Sequence, residues 1–227
     1  MTIDETILSN CCTGEPGCLL SDKKVQKILL KDPSTRLLNY ERGEKIFKEE
    51  KPIVGFYIIC EGVVKEVSCP SIGKRITLKV FKTGDMLTSD AFFSGDGRYQ
   101  TRAEALTEAQ VLFIDRSLFP ELMKVAGKKI GKKLAKNMRC LRENLEFTSC
   151  PVLRKIAYWL INLLPDSSNS FTVSNKQLAE IVGCSHVTVS RKLSRLADDD
   201  LIEKEGKEII VPDKAKLKEE AASPSFS

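Results

Sequence analysis

Lys176-Gln177-Leu178-Ala179-Glu180-Ile181-Val182-Gly183-Cys184-Ser185-His186-Val187-Thr188-Val189-Ser190-Arg191-Lys192-Leu193 reads as two short helices and the turn between them. Apolar residues at 178, 181 and 182 fit one face of a first helix, and those at 187, 189, 193 and 196 fit a second. Gly183 permits the left-handed backbone that ends the first helix, and Ser185 can cap the start of the second. That is a helix-turn-helix. The second helix offers His186, Thr188, Ser190, Arg191 and Arg195 outward, with no acid before Asp198. Helix–glycine–helix patterns also occur in proteins that never touch DNA, so the neighbouring segments carry the decision.

Immediately downstream, Leu201-Ile202-Glu203-Lys204 and Lys207-Glu208-Ile209-Ile210-Val211 join across Glu205-Gly206 as a β-hairpin. A hairpin directly after a helix-turn-helix makes a winged helix. The remainder, Lys214 to Ser227, is charged and then Ser/Ala/Pro-rich, and is expected to fray. Upstream, Phe171-Thr172-Val173 suggests a short strand, with Ser174 capping the first helix. Pro151 to Leu164 forms a strongly apolar helix with proline at its first turn.

Further back, Ile130, Leu134, Met138, Leu141 and Leu145 recur at steps of four, four, three and four. This narrow seam on a long helix needs a partner, and a second copy of the chain supplies one economically. The lysines and arginines between them read as a solvated face. Leu118, Leu122 and Met123 suggest a shorter helix near Pro120 just before it.

Residues 36–115 change period. Arg36–Tyr40, Lys45–Phe47, Gly55–Cys60, Val63–Val67, Ile76–Phe81 and Gln110–Ile114 read as strands, punctuated by turns at Gly43, Gly62, Gly73 and Gly84. Short, regular strands of this kind suggest a small barrel or jelly roll. Ser21–Lys31 reads as a capped helix. Before it, Cys11, Cys12 and Cys18 surround Thr13-Gly14-Glu15-Pro16-Gly17, a loop by composition. These three thiols are candidates for a redox pair, a metal or a cluster.

The 227 residues can hold one large or two small domains, and 42% hydrophobic content supports ordinary cores. A net charge of +5 permits an anionic partner without demanding one. No run of 18 apolar residues exists, so no membrane span is expected, and the first residues lack a secretory pattern. A cytoplasmic protein follows, with its eight cysteines as thiols, metal ligands or redox groups rather than structural disulfides. A single histidine, His186, argues against a His-based triad or a multi-His metal site. An enzyme on a cupin-like roll would need metal-binding histidines in the strands, and none lies there.

The fold class is therefore α+β: a double-stranded β-helix (jelly-roll) sensor domain, a long dimerisation helix and a C-terminal winged helix-turn-helix. The expected spans are a cysteine-bearing segment at 1–20, the roll at 21–118, the dimerisation helix at 119–148, the winged helix at 149–218 and a flexible tail at 219–227.

From about residue 21 to 217 this order resembles the Crp–Fnr family, that of the cyclic-AMP receptor protein and the fumarate–nitrate reduction regulator. The resemblance rests on Leu178 to Ser185, Thr188-Val189-Ser190-Arg191, Leu201-Ile202, the wing Gly206 to Val211, and the glycine-punctuated roll. It implies a homodimeric transcription factor. An effector in the roll would shift the dimer helices and set two recognition helices on a palindrome. An activator would also contact RNA polymerase.

The departures are informative. The family's cyclic-nucleotide binders carry Gly-Glu-Leu and, several residues later, Arg-Ser or Arg-Thr, whose arginine pairs with the cyclic phosphate. Aligned on Gly84-Asp85, those positions hold Thr88-Ser89-Asp90 and Tyr99-Gln100, with Arg98 and Arg102 merely flanking. A buried phosphate without its guanidinium is uncompensated, which argues against cyclic AMP. The family's oxygen sensors hold an iron–sulfur cluster on three N-terminal cysteines and one in the roll. Cys12 to Cys18 matches their last pair, but Cys11 adjoins Cys12 directly, and the roll position falls near Leu112. Haem is a further option, with Cys, Met or a backbone group as axial ligand since His186 belongs to the recognition helix. Thiol redox chemistry or an organic ligand in the roll stays open.

For DNA, the family's recognition helix presents a glutamate where this chain has Val187, and retains Ser190 and Arg191. Glutamate accepts from cytosine N4; valine packs on a thymine methyl. The helix is similar to that of the halorespiration regulator, which also lacks the glutamate and recognises an A·T-rich palindrome. The expected roles put Arg191 at a base edge or phosphate, with His186, Thr188 and Ser190 facing bases. Ser174, Lys176 and Gln177 would meet phosphates, while Lys192, Arg195 and the wing's Lys207 add backbone contacts or solvation.

Overall fold

The computed structural model of the chain describes residues 3–11, 17–68, 76–87, 92, 97–147, 150–164 and 168–222. The chain divides into two compact units, one of residues 1–68 and 78–140 and the other of residues 69–77 and 141–227.

In the first unit, helices α1 (Glu5–Asn10) and α2 (Lys23–Lys31) precede eight strands. These are β1 (Arg36–Tyr40), β2 (Lys45–Phe47), β3 (Gly55–Glu61), β4 (Val63–Ser68), β5 (Ile76–Lys82), β6 (Met86–Leu87), β7 (Arg102–Ala105) and β8 (Ala109–Asp115). They form two four-stranded sheets, ordered β1-β8-β3-β6 and β2-β7-β4-β5. Phe47 of β2 stacks on Tyr57 of β3 with ring centroids 6.1 Å apart, so the sheets face one another as a roll. Residues 55–60 of β3 are all buried, because its second face is covered too. Each such large apolar side chain contributes roughly 1.5–3 kcal/mol by leaving water. At the β3–β4 turn Gly62 has φ 84°, and a Cβ there would lie 2.1 Å from the Glu108 carbonyl oxygen. No other residue fits.

Strands β6 and β7 were not expected from the sequence, and the N-terminal segment is more ordered than its composition suggests. Asp4 caps α1 by accepting from the Ile7 amide, and Leu8, Cys18, Leu19 and Leu20 are buried in the roll's core. Cys12 lies outside the described residues.

Helix α3 (Phe119–Phe147) follows β8. Its backbone leaves helical geometry at Ala126 (φ −134°, ψ 17°), which separates the short helix and the long one that the sequence predicts. Leu122, Ala126 and Ile130 are buried in the roll's core, and Leu134 packs against it. Lysines also stitch this helix to the roll. Lys133 donates to the Gly84 carbonyl (2.7 Å), Lys136 pairs with the buried Asp85 (2.7 Å), and Asn137 donates to the Met86 carbonyl (3.2 Å).

The second unit contains α4 (Val152–Leu163), β9 (Ser170–Thr172), α5 (Asn175–Val182), α6 (His186–Asp198), β10 (Glu203–Glu205), β11 (Glu208–Ile210) and α7 (Lys214–Ala222). Helix α4 buries Leu153, Ile156, Trp159, Leu160 and Leu163. The strands form an antiparallel sheet in the order β10-β11-β9, so β9 extends the hairpin to three strands. The expectation of a fraying tail is corrected for residues 214–222. Helix α7 buries Leu217 and Ala221, and Arg154 donates to the Ala221 carbonyl at 3.0 Å. Residues 223–227 lie outside the described set.

Candidate functional site

The turn between α5 and α6 follows the chemistry of its residues. Gly183 ends α5 at φ 77°, and its N–H donates to the Ala179 carbonyl. Ser185 then caps α6, its hydroxyl accepting from the Thr188 amide at 3.1 Å. Val189, Leu193 and Leu196 are buried beneath α6. Val187 does not join them. It is 52% exposed, because two residues along a helix turn the side chain away from the face that Val189 occupies. The apolar face is thus narrower than the sequence suggests, and Val187 stands among His186, Arg191 and Arg195, all exposed.

Thr188, Ser190 and Lys192 are half-buried at the edge of this surface. Thr188 is partly committed, its hydroxyl lying 2.9 Å from that of Ser185. Arg195 approaches Asp199 at 3.7 Å, an exposed pair of little strength. At the start of α5, Lys176 is exposed, but Gln177 is not. Ser174 and Gln177 form a full capping box: Gln177 accepts from the Ser174 amide (2.8 Å), and the Gln177 amide donates to the Ser174 hydroxyl (3.2 Å). Gln177 is 7% exposed, which corrects its expected place at the DNA surface. A pattern of Ser followed three residues later by Gln signals this box in the sequence. The wing exposes Glu203, Glu205 and Glu208 beside Lys204 and Lys207, so it is not a basic feature.

In the first unit, Tyr99 sits inside the roll, its ring stacked on Phe47 with centroids 3.9 Å apart. Its hydroxyl donates to the Gly55 carbonyl (3.4 Å), and burial holds its pKa above the ordinary phenol value. The flanking arginines are engaged elsewhere. Arg98 donates to the Glu50 carbonyl, and Arg102 pairs with Glu104 at 2.8 Å. Thr88, Ser89 and Asp90 lie outside the described residues.

A charged group inside the roll went unseen in the sequence. Glu66 of β4 pairs with Lys79 of β5 at 3.1 Å and accepts from the Thr101 hydroxyl at 2.6 Å. Val64, Phe81 and Ala103, which alternate with these residues onto the same face, belong to the apolar core. The signal was Lys-Glu within Val63-Val64-Lys65-Glu66-Val67, where both strand faces cannot be apolar.

The expected dimer seam divides. Ile130 is fully buried in its own roll, which removes it from any surface facing a second copy, while Leu134 packs there but stays half-buried. Met138 is 72% exposed and Leu141 half-buried; the Leu145 side chain lies outside the described set. The outward stripe of α3 instead runs Met123, Gly127, Gly131, Ala135, Met138.

Among the described residues no three His, Cys, Asp or Glu side chains gather as metal ligands. Cys18 is disulfide-bonded, which corrects for that residue the expectation of no structural disulfide, while Cys11 and Cys60 are free and buried, the Cys60 thiol donating to the Ile58 carbonyl at 3.9 Å. His186 is exposed on α6. No described helix is long and apolar enough to cross a membrane.

Roll, long helix and winged helix-turn-helix define the class: a DNA-binding transcriptional regulator, not an enzyme. The comparisons agree with that class. A cyclic nucleotide-binding domain model matches residues 37–125, and a Crp-like helix-turn-helix model matches residues 154–220. The cAMP-activated global transcriptional regulator CRP of Salmonella typhimurium is 28% identical over 179 residues, 73% of this chain and 84% of that protein. The CRP-like cAMP-activated global transcriptional regulator of Mycobacterium tuberculosis is 25% identical over 198 residues, 79% of this chain and 85% of that one. FixK2 from Bradyrhizobium japonicum shares the fold, with a TM-score of 0.70 at 20% identity over 84% of this chain and 99% of its own. The chain belongs to the Crp–Fnr family of transcriptional regulators.

Proposed function

We propose that this regulator is a cytoplasmic homodimer that reads an A·T-rich palindrome under a signal other than cyclic AMP. The observation that carries the DNA reading is the exposure of Val187 at the start of α6, beside Arg191. Its methyl groups suit a thymine methyl, while Arg191 and the exposed Lys176 suit phosphate or base-edge acceptors. Two such helices on a two-fold dimer would address half-sites about 34 Å apart. Met123 and Met138, flanking small residues on the outward stripe of α3, support a helix-to-helix dimer. Contact with RNA polymerase follows if the regulator activates.

Two relatives are named as cyclic-AMP-activated, yet the interior of this roll carries features that favour another ligand. Tyr99, stacked on Phe47, stands where the resemblance, counted from Gly84-Asp85, would put the phosphate-binding arginine. Nearby, the Glu66–Lys79 pair puts charge on the inner face. Both favour a signal of another chemistry. The DNA reading is tested by fluorescence anisotropy of the fully reduced protein on A·T-rich and G·C-substituted palindromes. Tighter binding to the first is expected, and equal binding overturns it. Calorimetric titration with cyclic AMP is expected to give no binding heat; saturable binding at micromolar concentration restores the cyclic-nucleotide reading. The absorption spectrum of anaerobically purified protein then sorts the remaining signals, since haem or a cluster absorbs near 400 nm and a thiol or organic-ligand sensor does not.

A further inference from the structure

We infer that Lys133, Lys136 and Asn137 are positioning residues for DNA reading: they grip the β5–β6 turn and fix the direction in which α3 presents its outward stripe to a second copy. This rests on the proposed palindrome-reading homodimer and deepens it. The grip begins where apolar anchoring stops. Leu122, Ala126 and Ile130 are buried in the roll's core, but among the described residues of α3 none after Ile130 is buried. Apolar burial is non-directional, so it holds the first half of α3 without aiming the second. Directed bonds take over there. Lys133 donates to the Gly84 carbonyl at 2.7 Å, Lys136 to the Asp85 carboxylate at 2.7 Å, and Asn137 to the Met86 carbonyl at 3.2 Å. Side chains from little more than one turn of helix thus reach consecutive residues of one β-turn.

The turn is a firm anchor. Gly84 holds φ at 82°, its amide donates to the Ile59 carbonyl at 2.8 Å, and the Ile59 amide donates to the Asp85 carbonyl at 3.0 Å. That ties the turn to β3, whose residues 55–60 are all buried. Both oxygens of Asp85 are engaged. Oδ2 accepts from the Lys82 amide at 3.1 Å, and Oδ1 lies 2.7 Å from Lys136 and 3.9 Å from Lys133. The carboxylate is thus buried and fixed, whereas the Lys136 side chain is 47% exposed. An ammonium that stays half in water adds little stability, so the consequence of this bond is aim rather than strength. At about 100° per residue, Gly131, Ala135 and Met138 fall on the side of the helix opposite Lys133, Lys136 and Asn137. The roll therefore grips the back of the segment whose front would meet the second copy. The crossing angle of two α3 helices follows from the grip, and with it the half-site spacing that a dimer tolerates.

Two measurements on the full-length protein test this, the first without DNA. In hydrogen–deuterium exchange, Lys136→Met is expected to raise exchange by about threefold in peptides covering residues 131–144 and to leave α5 and α6 unchanged, because only the aimed half of α3 is loosened. Lys136→Arg, which keeps the charge, should stay with the parent. The second is fluorescence anisotropy on labelled A·T-rich palindromes whose half-sites are moved apart by one or two base pairs. Two added base pairs turn one half-site by roughly 70° about the DNA axis, so the parent should lose about tenfold in affinity and Lys136→Met only about threefold. Affinity for an isolated half-site should be equal in the two. Asp85→Asn, which keeps an acceptor for the Lys82 amide, should reproduce the change, and adding Lys136→Met to it should change nothing further, as for residues acting as one unit. Should Lys136→Met lower the urea midpoint, Lys136→Gln in the same two assays decides. Unchanged α3 exchange, or a spacing preference as sharp as the parent's, overturns the inference. The A·T preference of the parent alone decides the palindrome reading, so failure of that reading is separable from this one.

Discussion

An exposed valine at the start of a recognition helix has only methyl groups to offer a base edge, and Val187 is 52% exposed. A glutamate there would accept from cytosine N4. Val187→Glu is therefore expected to move preference toward G·C at one position in each half-site, by about 1–3 kcal/mol. Selection from a pool with randomised half-sites checks this, and an unchanged sequence preference sinks the assignment. A second expectation concerns the capping box, whose hydroxyl serves the Gln177 amide. Ser174→Ala should cost about 1 kcal/mol of stability in urea unfolding of the full chain, because one amide donor at the start of α5 loses its partner. Both residues show what sequence conceals at this scale. Valine reads as core by type, yet Val187 points out because its neighbour Val189 has taken the inward direction. Glutamine reads as surface, yet Gln177 is drawn under the helix end by the two hydrogen bonds it closes. Arg191, His186 and Lys176 are exposed, as their residue types alone suggest.

Strands announce themselves by β-branched and aromatic residues, and this governs which elements of the roll could be read. Strands β1, β3, β4, β5 and β8 carry Leu, Ile, Val, Phe or Tyr at half or more of their positions and were expected where they stand. Strand β7, Arg102-Ala103-Glu104-Ala105, carries no such residue. It is a strand because β2 and β4 flank it and satisfy its backbone, with Lys65 opposite Glu104 and Val64 opposite Ala105. That information is tertiary and absent from the local sequence. Alternation on β4 and β5 also places Glu66 and Lys79 on the inner face, with side chains 4% and 9% exposed. Removing one partner of a buried pair strands the other charge. Lys79→Met is expected to destabilise the protein by about 3–5 kcal/mol, whereas the double variant Glu66→Leu/Lys79→Met should come much closer to the parent. Chemical denaturation of the three proteins tests this. A single variant as stable as the parent would mean that water reaches the pair and that the roll interior is open there.

For the molecule as a whole, α3 has two apolar aspects with different obligations. The seam of Ile130, Leu134, Met138, Leu141 and Leu145 looked continuous because spacing alone cannot say which structure covers a residue. Its first two members cover the chain's own roll, and the exposed stripe lies beside them through Met123, Gly127, Gly131, Ala135 and Met138. Small residues along such a stripe let two helices approach closely, and the flanking methionines then bury apolar surface that is otherwise wet. The two aspects make opposite predictions for like substitutions. Met138→Asp should leave the unfolding midpoint of dilute protein near that of the parent, shift the sedimentation coefficient to that of a monomer, and weaken binding to the palindrome at least tenfold. Affinity for an isolated half-site should hardly change, since a monomer keeps its α6 surface. Ile130→Asp puts a carboxylate into the core and should instead lower the unfolding midpoint sharply, because an unpaired buried charge is costly. Sedimentation velocity and denaturation of the two variants, run side by side, separate the cases. If Met138→Asp remains a dimer, another surface joins the two copies, and the stripe on α3 is a solvated face.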